Sequence, residues 1–205
     1  FEIVWFRMFS MLSGAGTIHF STFLAVFLGG FGAGGLVIYP FLSSRLAPRT
    51  VLWLSLAGSG LFSLVTCLSA FGLVQGLAYE VQLYVQQWMD NSVKVMMHAT
   101  TAALVLMFIP TVFMGMTFPA AVKVIAGNDN PTDAATGDLY FAGNIGSAAG
   151  ALVGGLILIP ISGIAGSAGV LSALLLLLAA ACAVTMGAGR ILTWFATVAP
   201  VIVAL

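Results

Sequence analysis

Gly146, Gly150 and Gly154 recur at every fourth position inside a long apolar run, LYFAGNIGSAAGALVGGLILIPISG, residues 139–163. A four-residue period places them on one stripe of a helix. In lipid, helices associate by close packing rather than by the hydrophobic effect, and a glycine stripe lets a neighbouring backbone approach. The run therefore predicts a membrane helix that packs against another helix. The strongly polar loop before it, NDNPTDAATGD, ends an earlier apolar segment that closes in GMTFPAAVKV. Asp138 opens the glycine-rich span and favours its positive N-terminal end. Asn144 lies one turn deeper, where an amide is expected to hydrogen-bond to another helix.

The remaining residues obey the same constraint. Of the 205 residues, 61% are apolar and 6% charged, against about 25% charged in ordinary soluble domains. A core of this size cannot hide that much apolar surface, so the solvent for most of it is lipid. The formal charge is zero, without the basic face that nucleic-acid binding requires. Cys67 and Cys182 both fall within apolar spans, where a disulfide is not expected.

Apolar runs near the length of a span give an all-α, polytopic helical bundle of about seven membrane helices in one domain. The expected spans are 1–13, 17–42, 51–77, 95–125, 138–162, 166–187 and 190–205. Segment 1–13 covers only about 18 Å as a helix, against about 30 Å of bilayer core. The last segment ends inside VAPVIVAL. Both ends are expected to be parts of a longer protein. Short turns are expected at 13–16, 161–166 and 186–190. Residues 78–94, with Tyr79, Tyr84 and Trp88, suit a surface helix at headgroup level. Alternating the loops places Arg45, Arg49, Lys123 and Arg190 on one side and Lys94 on the other. By the excess of positive charge, the turn at Arg45–Arg49 and the loop at Gly127–Gly137 are expected on the cytoplasmic side.

Ionisable and polar groups inside apolar runs are costly, so each was considered as a site. Glu2 and Arg7 stand in EIVWFR, but five positions turn a helix by about 140°, so they do not face one another. His19 and His98, the two histidines, both begin spans on the outer side. Two imidazoles at one depth could ligate a haem iron, but interfacial hydrogen bonding is the commoner reading, since nothing fixes their faces relative to each other. The run Gly29–Gly35 could pass for a phosphate loop, but it sits within an apolar span. Gly30 and Gly34 thus read as a packing stripe. Pro110 and Pro119 should kink the fourth span, with Thr111 and Thr117 placed to take up freed carbonyls. Asp129, Asp133 and Asp138 could surround a divalent ion, yet acidic helix caps are the commoner reading and no metal is expected. No Ser-His-Asp set, Cys-x-x-Cys pair, H-E-x-x-H motif or phosphate loop is present, so no catalytic residue and no cofactor are assigned.

Four stretches carry a resemblance to the membrane portion of bacterial membrane-bound spermidine synthase-like proteins. They are residues 2–10 (EIVWFRMFS), 23–35 (FLAVFLGGFGAGG), 115–123 (GMTFPAAVK) and 137–146 (GDLYFAGNIG) continuing to Pro160. In that family a membrane region is joined to a cytosolic polyamine aminopropyltransferase domain. The resemblance implies a bacterial inner-membrane anchor or scaffold with no catalytic site of its own. Aminopropyl transfer would then need a downstream cytosolic domain. Two other functions are compatible with the residues: an accessory subunit docked among other membrane subunits, and a transporter of polyamines or similar small cations. The transporter would rest on Glu2 as its intramembrane carboxylate.

Overall fold

The computed structural model describes residues 1–13, 17–43, 47–88, 97, 100–101, 103–126 and 132–185, of which 70–88 are described as backbone alone. They form helices throughout. Helix α1 is Glu2–Ser13, α2 Thr17–Ser43 and α3 Pro48–Trp88. A π-helical turn, Leu104–Phe108, leads into α4, Ile109–Ala126. Helix α5, Thr132–Leu152, passes through a second π turn, Val153–Leu158, into α6, Ile159–Thr185.

These are five helical stretches rather than seven spans, and four of them are long and apolar enough to cross a membrane. The count falls for three reasons. Helix α1 has only 12 residues. The segments at 138–162 and 166–187 belong to one helical stretch, Thr132–Thr185, with a single-residue break between them. The segment 190–205 lies outside the described residues. That stretch of 54 residues would measure about 81 Å if straight, far more than a bilayer core. It is broken at Gly163, whose φ of 69° and ψ of −178° leave helical space. The break falls inside the turn expected at 161–166. Residues 78–88 are helical as expected, but they continue α3 without interruption instead of forming a separate surface helix.

Two contacts set the arrangement. Helices α2 and α4 run parallel, because Gly30 lies against Thr111, Gly34 against Val112 and Gly115, and Leu42 against Lys123. Helices α3 and α6 run antiparallel and share the most extensive contact in the molecule. Trp53 and Ala57 pack with Ala179 and Ala183, while Gly60 meets Leu175 and Leu176. The largest core cluster gathers Trp5, Phe9, Phe23, Cys67, Met107 and Ala168 from α1, α2, α3, the first π turn and α6. Aromatic rings join α1 to α2: Phe6 meets Phe20 and Phe23 edge-on at 5.3 and 5.2 Å.

Each π turn ends directly before an Ile-Pro pair, Ile109–Pro110 and Ile159–Pro160. Proline lacks the N–H that would close the regular ladder, and a widened turn accommodates it. Thr111 Oγ1 donates to the carbonyls of Met107 and Phe108, at 2.8 and 2.9 Å. Thr117 Oγ1 donates to the carbonyl of Met114 at 2.6 Å, in the turn before Pro119. These are ordinary threonine bonds to the preceding turn: the carbonyls four residues before the prolines, those of Leu106 and Gly115, are not the ones that the threonines reach.

Candidate functional site

The two glycine stripes meet different fates. Gly30 and Gly34 are buried in the α2–α4 seam. A Cβ on Gly34 would collide with the carbonyl oxygen of Val112 and the backbone of Gly115. A Cβ on Gly115 would collide with the carbonyl of Phe31, and one on Gly30 with the side chain of Thr111. The seam is therefore a backbone-to-backbone contact that no larger residue permits. Its α4 half, Thr111 and Gly115, is itself a small residue followed four positions later by another. That spacing was present in the sequence but was hidden by attention to the prolines.

Gly146, Gly150 and Gly154 do not pack against another helix among the described residues. A Cβ at any of them would find nothing within 4 Å. Gly154 is buried by its surroundings, but Gly146 and Gly150 are exposed, as is every residue from Tyr140 to Val153. Asn144, expected to be buried and bonded to a neighbouring helix, is exposed on this same helix and makes no side-chain hydrogen bond to the described residues. One helix thus presents an uncovered surface of Gly, Ala, Ser and Asn, flanked by the exposed rings of Tyr140 and Phe141.

The ionisable candidates do not converge. Glu2 and Arg7 are both exposed on α1, as their angular separation implies. Glu2 sits in the first turn of its helix, where a carboxylate is favoured by the helix dipole, rather than in a closed cavity. His19 is half-buried near the start of α2, and its Nδ1 is buried without a hydrogen-bond partner. His98 lies outside the described residues, so the pairing of the two imidazoles does too. Asp133 and Asp138 are exposed on α5, and Asp129 lies outside the described residues. Among the described residues no three His, Cys, Asp or Glu side chains gather where they could hold a metal ion. Cys67 and Cys182 are free thiols.

Lys123 completes the seam at its far end. Its Nζ donates to the carbonyl of Leu42, 3.1 Å away, in the last turn of α2. The last carbonyls of a helix have no partner within it, and a cation there also meets the negative end of the helix dipole. Scans against protein-family models and searches of curated proteins and of solved structures find no match to this chain.

Proposed function

We propose that the chain is a non-catalytic membrane scaffold, and that α5 docks a helix of another membrane-embedded subunit. The observation that carries this reading is the surface of α5 left uncovered among the described residues: Gly146 and Gly150 four residues apart with room above each, and the exposed amide of Asn144 on the other side of the same helix. An amide facing hydrocarbon loses its hydrogen bonds, whereas a partner helix can supply them. Ser147, Ala148 and Ala151, which share the face of Asn144, and the glycines on the opposite face are all small enough to let that partner approach closely. No described group competes as a reaction centre: the two carboxylates of α5 and Glu2 are all exposed and separate.

The resemblance to spermidine synthase-like membrane regions supports one form of the same reading, in which the scaffold serves a cytosolic aminopropyltransferase-like domain. In either form, Arg49 and Lys123 mark the cytoplasmic face of a bacterial inner membrane by the excess of positive charge at that end. The test is purification of the full-length protein from its native membrane carrying Gly146→Leu and Gly150→Leu. With nothing within 4 Å of either position, the chain itself should fold unchanged. Recovery of co-purifying membrane subunits should fall by about tenfold, equivalent to ~1.4 kcal/mol. Unchanged recovery from a normally folded variant would overturn the docking role.

A further inference from the structure

Ser63 and Ser172 are both fully buried, and neither hydroxyl has a hydrogen-bond partner among the described residues. The other buried serines of α3 and α6 avoid this state. Ser55 donates to the carbonyl of Val51, Ser59 to that of Leu56, and Ser167 to that of Gly163. Ser63 and Ser172 could turn back on their own helices in the same way, yet neither does.

Their placement follows from the antiparallel contact. Gly60 lies against Leu175 and Leu176, and Ala57 packs with Ala179 one turn away. Continuing one turn along α3 from Gly60 reaches Ser63, while stepping one turn back along α6 from Leu176 reaches Ser172. Ser63 is three residues beyond Gly60 and four before the buried Cys67, so it shares their face. Ser172 is four residues beyond the buried Ala168 and seven before the buried Ala179, so it lies on the face that meets α3. The register thus sets the two residues at one level of the α3–α6 contact.

We propose that Ser63 and Ser172 form a binding site for a single water molecule that bridges α3 and α6. A buried water makes about three hydrogen bonds. The two hydroxyls supply two, and the carbonyls one turn earlier, of Ser59 and Ala168, carry second lone pairs that extend the acceptor set. The water ties the two helices together one turn beyond the contact of Gly60 with Leu176.

The test exploits an opposition of sign. A hydroxyl buried without a partner destabilises, so if the site is dry each Ser→Ala change raises the melting temperature, and the two gains add. If a water bridges them, each single change strands that water and lowers the melting temperature, while removing both hydroxyls removes the need for it. The full-length protein in detergent should therefore show losses for Ser63→Ala and for Ser172→Ala, and a double variant that loses less than their combined effect. Alanine is the best helix former, so all three variants keep their helices. A crystal structure that shows ordered waters should place one within hydrogen-bond distance of both Oγ atoms. Single variants with raised or unchanged melting temperatures, additive losses, or an interface with no water between the two oxygens would each overturn the proposal.

Discussion

Lys123 on α4 reaches across to the carbonyl of Leu42 in the last turn of α2, so one helix supplies the C-terminal cap of its parallel neighbour. The contact lies 81 residues apart in the chain. The same offset joins Gly30 to Thr111 and Gly34 to Gly115, so cap and seam belong to one register. Lys123→Met should remove the cap without disturbing the glycines. The group is exposed, so the loss is modest, about 0.5–1 kcal/mol. That corresponds to roughly 1–4 °C in melting temperature for a chain of this size. Lys123→Arg, which keeps donor and charge, should restore most of it, as thermal unfolding in detergent would show.

The α2–α4 seam should tolerate no side chain. Gly34→Ala and Gly115→Ala each drive a Cβ into a carbonyl oxygen of the facing helix, and backbone cannot swing aside as a flexible side chain can. Overpacking of this kind costs about 1–3 kcal/mol, occasionally more. Gly146→Ala and Gly150→Ala have the same chemistry but open space above them, and alanine is the better helix former by about 1 kcal/mol. The isolated chain should thus be destabilised by the first pair and slightly stabilised by the second. Equal effects of all four on its melting temperature would contradict the difference between the two stripes.

This contrast marks what the residues alone reveal. Glycine at four-residue spacing states that a helix can be approached closely, but not by which neighbour. Gly30 and Gly34 found theirs within the chain, and Gly146 and Gly150 have none among the described residues. The helical class and a disturbance at Pro110, where a π turn precedes the proline, were readable because apolarity and proline act locally, whereas α4 runs through Pro119 without a break. The number of spans was not. Hydropathy marked the turn at 161–166, but not that a single residue, Gly163, makes the break within one helical stretch. Nor does it reveal that 78–88 continue α3. Ser63 and Ser172 were passed over because serines in apolar helices ordinarily bond to their own backbone, as Ser55 does. Only the antiparallel register of α3 and α6 brings them to one level.

Phe113 fills the space over a second glycine. A Cβ on Gly58 of α3 would strike its ring, and the ring stacks on Phe62 with centroids 5.3 Å apart and planes 14° from parallel. Phe113→Ala should open a void between α3 and α4 and cost about 3–5 kcal/mol. Phe113→Leu should recover part of that loss. Adding Gly58→Ala to Phe113→Ala should be less harmful than Gly58→Ala in the native background, since the ring that it would strike is gone. A double-mutant cycle by thermal unfolding measures this coupling, and strict additivity would contradict the contact.

Gly163 divides the 54-residue stretch, and its backbone conformation decides which residues can replace it. A φ of 69° with ψ near 180° is not the left-handed helical region that asparagine also visits. It is a region open essentially to glycine alone, and other residues there cost about 1–3 kcal/mol. Space is not the obstacle, since nothing lies within 4 Å of an added Cβ. Gly163→Ala and Gly163→Asn should therefore destabilise the chain to a similar degree. The neighbouring hydroxyls of Ser162 and Ser167, 3.2 Å apart across the break, should not offset the strain, because Ser167 already donates to the Gly163 carbonyl itself. Thermal unfolding of both variants decides the matter: a marked advantage of asparagine over alanine would indicate a left-handed helical residue at the break instead.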